Sequence, residues 1–206
     1  MALNTDSLEY EILVAAVLAA RDLDIDALSC EIGLREGGGT KLMLDALWES
    51  GQGARTHLAI DPYGNIEYRG FEDDVRHFDY TNMMRNRCMV DLYTYIWNAF
   101  QNNLNVIFMC LEDTEFFDRF ADGVPVYSEF KRLATKYAVV HYDGPHASGP
   151  LHAELAFFTP RMVQGGMAVF DDIGNYDHTA LENEKLFPAG YELVAKGERK
   201  ASYRKT

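Results

Sequence analysis

One stretch constrains this chain more than any other: Cys30-Glu31-Ile32-Gly33-Leu34-Arg35-Glu36-Gly37-Gly38-Gly39-Thr40. An apolar strand ends there in an acid and a glycine, and a glycine cluster then opens a helix. This is the form of a nucleotide-cradling turn. Gly33 lets a backbone approach a ligand with no Cβ in the way, Gly37 to Gly39 supply positive φ, and the N–H groups ahead of Thr40 face the ligand. The spacing is Glu-x-Gly-x-x-x-Gly. It is neither the Gly-x-Gly-x-x-Gly of dinucleotide sites nor a phosphate loop closed by Lys-Ser/Thr. A tight strand-to-helix turn with no ligand would read the same way, so the rest of the chain decides.

A chain of 206 residues, 48% hydrophobic and 25% charged, suits one sizeable core, and a single domain over 1–206 is expected. The formal charge of −13, with no Lys/Arg cluster, argues against nucleic acid as the main partner and leaves small molecules open. Cys30, Cys88 and Cys110 cannot all pair within the chain, which fits a reducing, cytoplasmic setting. The first residues carry no basic leader, and no stretch nears the roughly 18 apolar residues of a spanning helix, so no membrane role is expected. A homo-oligomer stays open.

The chain alternates strands and helices. An N-terminal helix is expected over about 6–22, followed by strands over 29–34, 56–60, 105–111, 137–142 and 167–170 and a closing β-pair at 191–195 and 200–204. Helices are expected at 40–49 and 90–100. Leu151, Leu155, Phe158 and Met162 recur at helical spacing before Gly165-Gly166. Residues 65–88 show no clear period. With the aromatic helix after them, 65–100 is either a lid over a site or ordinary packing. Near-continuous apolar strands imply a mostly parallel sheet covered on both faces. Four of these strands end in acids, at Asp61, Glu112-Asp113, Asp143 and Asp171-Asp172, and in an open α/β sheet the ligand crevice lies at that edge.

At this point the chain resembles the class I S-adenosylmethionine-dependent methyltransferases over almost its whole length. Glu31-x-Gly33-x-x-x-Gly37-Gly38 looks like the family's first motif, Asp61 like the acid ending its second strand, and Met167 to Asp172 after Gly165-Gly166 like its signature behind the fourth strand. The resemblance implies a Rossmann-like, doubly wound α/β fold with a seven-stranded sheet of order 3-2-1-4-5-7-6, its last hairpin antiparallel. Within the class, Asp143-Gly144-x-His146 with Gly165-Gly166 and Asp171-Asp172 is similar to the macrocin-type and related sugar O-methyltransferases. Several of these are Mg²⁺-dependent, which implies Asp143, Asp171 and Asp172 as metal ligands. Some relatives place an acid, proposed as catalytic base, where this chain has Pro145.

The implied cofactor is S-adenosylmethionine. Gly33 and Gly37 would shape its turn, Glu31 would attract its ammonium group, Asp61 would accept from both ribose hydroxyls, and Glu112 or Asp113 would meet the adenine edge. Transfer of the methyl group to a hydroxyl needs an aligned acceptor and a sink for its proton. His146, an imidazole on a strand-end loop, and Asp143 are the catalytic candidates; as a plain loop histidine, His146 would only bond backbone. Successive side chains of a strand point to opposite faces, so Asp171 and Asp172 can both hold Mg²⁺ only if the chain turns there. The reading is an O-methyltransferase acting on a small hydroxylated acceptor such as a sugar or natural product. The alternatives are a non-catalytic S-adenosylmethionine-binding protein and another activity on the same fold, such as that of hydroxylase-annotated relatives.

Overall fold

The computed structural model describes residues 3–5, 7–64, 80–101, 103–128, 130–145 and 148–206. In chain order the elements are α1 (Tyr10–Ala19), β1 (Leu28–Ile32), α2 (Gly38–Glu49), β2 (His57–Ile60), α3 (Asn82–Phe100), β3 (Val106–Met109) and α4 (Asp113–Arg119). There follow β4 (Val124–Tyr127), β5 (Lys131–Ala134), β6 (Tyr137–Tyr142), α5 (Ser148–Phe158), β7 (Met162–Phe170), α6 (His178–Leu181), β8 (Tyr191–Lys196) and β9 (Ala201–Lys205). Seven strands form one sheet in the order β3-β2-β1-β6-β7-β9-β8. β3, β2, β1, β6 and β7 run parallel, and β9 and β8 turn antiparallel. Leaving out the separate β4–β5 hairpin, this is the expected order with its antiparallel end.

Both faces are covered. Leu28, Cys30 and Ile32 of β1 pack with Val140, Tyr142 and Phe170 and with Phe116, Leu151 and Phe158 from α4 and α5. On the other face Val139 and Val169 meet Leu13 and Val17 of α1, Met43 and Leu47 of α2, and Ile96 and Phe100 of α3. Period-2 alternation therefore sends Ser29 and Glu31 of β1 to the α1–α3 side. There Ser29 Oγ lies 3.0 Å from His57 Nδ1.

Several boundaries differ from the sequence reading. α1 begins at Tyr10, because Glu9 sits in the left-handed region (φ 58°) and sends its carboxylate away from the helix to the β8–β9 turn. α3 begins at Asn82, capped by Thr81 Oγ1, which accepts from the Met84 N–H at 3.1 Å. The arginines at its start hid its period. Of the expected lid over 65–100, residues 65–79 lie outside the described residues and 82–100 is a regular helix. Tyr93 and Trp97 are more than half exposed, and Tyr93 meets the Phe108 ring edge-on. Met162 belongs to β7, not to the preceding helix, since a short 3₁₀ turn containing Pro160 ends the helical run. Gly165 and Gly166 then lie inside β7, where Gly165 has φ 82° and the β6–β7 register shifts. The β4–β5 hairpin had no sequence expectation; its short strands carry Pro125 and exposed Tyr127 and Leu133.

Candidate active site

A cavity of about 330 Å³ opens at the carboxyl ends of the parallel strands, within the size range of small-molecule sites. Ile32 and Gly33 from β1, Ile60 to Pro62 from β2, Glu112 to Thr114 ahead of α4, Asp143 to Pro145 beyond β6, Tyr80 and Pro150 line it. The crevice thus collects Gly33, Asp61, Glu112, Asp113 and Asp143, all expected from sequence to serve one site.

Gly33 holds the crevice together in a way the motif did not announce. Its φ is 89°, its N–H donates to Ile60 O at 2.9 Å, and a Cβ there would stand 1.9 Å from the carbonyl oxygen of Asp143. The tips of β1 and β6 close on each other only because the side chain is missing. Gly37 (φ 82°) is the N-cap of α2 and packs against Cys88 and Leu92 of α3. Gly39 leaves room for Glu31, since a Cβ there would lie 2.1 Å from Glu31 Oε1.

Glu31 is buried below the crevice and is not part of its lining. Thr40 Oγ1 donates to its Oε2, and His141 Nδ1 lies 2.9 Å from its Oε1. Asp61 reaches the cavity. Its Oδ2 accepts from the Arg35 N–H at 2.9 Å and its Oδ1 from the Tyr63 N–H at 3.0 Å. Burial pushes its carboxyl up to about 6 against the opposing pull of these N–H groups. An acid held at that value has lone pairs to offer a ligand's hydroxyls.

The comparisons with known proteins agree with this geometry. The family profile described as "Methyltransferase domain" matches residues 30–173, from β1 to just past β7. The chain belongs to this family. It is a class I S-adenosylmethionine-dependent methyltransferase. No curated protein sequence matches it. Among solved structures, the calicheamicin methyltransferase CalS11 is similar with a TM-score of 0.68 at 14% identity, over 94% of this chain and 78% of that one. The O-methyltransferase NovP gives 0.63 at 15%, over 95% and 78%. A precorrin-6y C5,15-methyltransferase from Geobacter metallireducens gives 0.60 at 13%, over 100% and 94%. At these identities the likeness is one of fold.

The acids at β6 and β7 of this methyltransferase are held unlike Asp61. Burial and the Asp171 charge push Asp143 well above the usual carboxylate range. Asp171, against its own burial, is drawn down by His141 and Lys200. The Lys200 ammonium pairs with Asp171 Oδ2, while Ser7 Oγ donates to Asp171 Oδ1 at 2.9 Å. Asp172, at φ 48°, turns away and pairs with the Arg199 guanidinium, whose Nε lies 2.8 Å from Oδ1. The turn that would let both acids face one ion is present, but it delivers Asp172 to an arginine. The donor set Asp143, Asp171 and Asp172 therefore does not fit Mg²⁺, because cations of the chain already engage two of its three carboxylates. The metal-ligating atoms that do lie together among the described residues are those of Glu31, His141 and Asp143, within 4.8 Å of one another. There the His141 imidazole is bonded to Glu31.

His146 lies outside the described residues. Cys88 is buried beside Tyr63, and burial pushes its thiol up to about 12, away from nucleophilic use. Sequence reasoning missed Glu154 on α5, fully buried, with neither carboxylate oxygen given a donor among the described residues. Burial and neighbouring Asp113, an acid of the cavity wall, push its carboxyl well above the usual range. A lone acid amid Leu151, Leu155 and Phe158 was its one signal. Ser7, Glu9, Arg199 and Lys200 were missed because nothing local distinguishes them.

The described residues contain no helix long and apolar enough to cross a membrane. The described cysteines are all free.

Proposed function

We propose that this methyltransferase moves the methyl group of S-adenosylmethionine onto a hydroxyl of a small acceptor, a sugar or a hydroxylated natural product. The observation that carries the reading is the joining of Gly33, Asp61, Asp113 and Asp143 around one cavity at the carboxyl edge of the sheet. Similarity in fold to CalS11 and NovP supports the acceptor class. Bound in the crevice, the cofactor supplies an electrophilic methyl group on a positively charged sulfur.

Each wall residue then has a task. Asp61 accepts from the ribose hydroxyls with the lone pairs left by Arg35 and Tyr63. Asp113, with the buried Glu154 carboxyl behind it, or the exposed Glu112 meets the adenine edge. Asp143 takes the acceptor's proton. A cationic ligand next to it favours its ionised form and offsets the burial and the Asp171 charge that raise it. When that positive charge is lost in the transfer, the carboxyl regains its high proton affinity and takes the hydroxyl proton, so charge and proton balance in one step. No step requires a metal ion.

A panel of nucleotide sugars, free sugars and phenols, scored by release of S-adenosylhomocysteine, tests the reading. With a turned-over acceptor, Asp143→Asn is expected to lower kcat by about 10²–10⁴ while S-adenosylhomocysteine affinity by calorimetry stays within about threefold. Unchanged kcat in that variant would remove Asp143 as the proton acceptor.

A further inference from the structure

Two carboxylates at the tip of β7 carry cations supplied by the chain itself. Lys200 is fully buried, as is Asp171, and among the described residues its ammonium meets Asp171 Oδ2, Ser7 Oγ at 3.0 Å and the face of the Tyr10 ring at 4.6 Å. Asp171 Oδ1 is also taken, by the Ser7 hydroxyl and, at 2.7 Å, by the N–H of Asp172. Arg199 holds Asp172.

The turn that presents both cations is anchored as well. The Glu9 carboxylate accepts the N–H groups of Glu198, Arg199 and Lys200, each at 2.9 Å. A Cβ on Gly197 would stand 2.2 Å from Glu9 Oε2, so the carboxylate lies flat against the turn. A surface lysine that strays onto an acid has none of this: the ammonium is desolvated, shares a hydroxyl with its partner and projects from a backbone fixed at three successive N–H groups.

We propose that Lys200 is the resident cation of this site. Fixed on Asp171, with Arg199 on Asp172, it occupies the charge position that a divalent ion takes when such acids are free, and the chain works without one. A hard cation needs carboxylate oxygens with no positive neighbour, and at Asp171 the Lys200 ammonium already stands on Oδ2 while two donors take Oδ1. Lys200 is a positioning residue. Its ion pair holds the Asp171 carboxylate at the tip of β7, next to the β6 tip that carries the cavity-lining Asp143. The inference rests on the methyl-transfer reading for its mechanistic meaning, and its test does not depend on an acceptor.

The test is uptake of Mn²⁺, the spectroscopic counterpart of Mg²⁺, followed by electron paramagnetic resonance on the full chain. S-adenosylhomocysteine binding is measured separately by calorimetry on the same preparation. The parent is expected to leave the free Mn²⁺ signal intact at equimolar concentration. Lys200→Ala, with Asp171 uncovered, is expected to bind Mn²⁺ at least about tenfold tighter than the parent, and Lys200→Arg to behave as the parent does. Lys200→Gln removes the charge and keeps an N–H donor on a side chain one atom shorter; it carries the same expectation as the alanine variant and decides the matter if that variant does not fold. Stoichiometric Mn²⁺ uptake by the parent that Asp171→Asn abolishes would overturn the proposal. So would folded Lys200→Ala or Lys200→Gln protein that gains no affinity for Mn²⁺. A parent that fails to bind S-adenosylhomocysteine would count against the cofactor reading and leave the Mn²⁺ result standing.

Discussion

The tips of β1 and β2 and the tips of β6 and β7 lie along one edge of the sheet, and each pair carries acids, but the acids are satisfied differently. Asp61 accepts from N–H groups of Arg35 and Tyr63, all within one βαβ unit, and remains on the cavity wall with burial holding its carboxyl near 6. Asp171 and Asp172 are met by Ser7, Arg199 and Lys200, which come from the two ends of the chain. The first half of the edge is built from local sequence and keeps acceptor capacity for a ligand. The second is closed by long-range ion pairs and is preorganised before any ligand arrives. An acid at a strand end is thus a different chemical object depending on which donors the fold brings to it.

The largest effect is expected from breaking the seam between the halves. Gly33→Val sets a branched Cβ into a space 1.9 Å from Asp143 O and at φ 89°. The unfavourable backbone alone costs about 1–3 kcal/mol, and the clash must part β1 from β6. S-adenosylhomocysteine binding by calorimetry should become undetectable, with a lowered melting temperature. Normal binding in this variant would show that the seam does not shape the cofactor site.

A smaller effect sharpens the contrast at Asp61. Asp61→Asn keeps the shape and loses the charge-assisted bonds to ribose, each worth about 1.5–3 kcal/mol, so affinity should drop about ten- to a hundredfold. Ribose donors favour the ionised acid, so the bound carboxyl lies below its free value of about 6. Below that pH the parent must release a proton to bind. Affinity should weaken by up to about tenfold per pH unit as pH falls below 6, and calorimetry in buffers of different ionisation heat should register the released proton. The Asn variant should lose this pH dependence. A parent whose affinity is flat from pH 5 to 7 would take Asp61 out of the ribose contact.

What the sequence disclosed follows the same division. The Glu31 to Thr40 turn, the acid closing β2 and the acids after β6 and β7 were legible because each is a local pattern: an apolar strand, a polar end, a glycine. The sheet order was legible through family likeness. The start of α3 was not, since Arg85 and Arg87 blur its period, nor was the β4–β5 hairpin, whose strands are four residues each. Least legible were the partners of Asp171 and Asp172. Lys200 lies in a charged run that resembles any solvated turn, and only folding shows it buried against a residue near the other end of the chain.

The smallest effect tests how far the closed half depends on its anchor. Glu9 accepts three backbone N–H groups of the β8–β9 turn, and those bonds lower its pKa. An acid with a depressed folded value contributes stability above its unfolded pKa of about 4.3 and loses it as pH falls through the folded value. Glu9→Gln keeps one acceptor oxygen and gives up the charge. At pH 7 its melting temperature should fall by about 2–4 °C, the gap should close as the pH is taken well below 4, and S-adenosylhomocysteine affinity should match the parent's. If the ion pairs are self-sufficient once the turn is folded, Lys200→Ala and Glu9→Gln should be additive in melting temperature. If the Glu9 anchor is what seats Lys200 on Asp171, the double variant should lose no more than Lys200→Ala alone. Thermal melts of the four proteins at pH 7 separate the two cases, and additivity would mean that the closed half owes its preorganisation to its charges and not to its backbone.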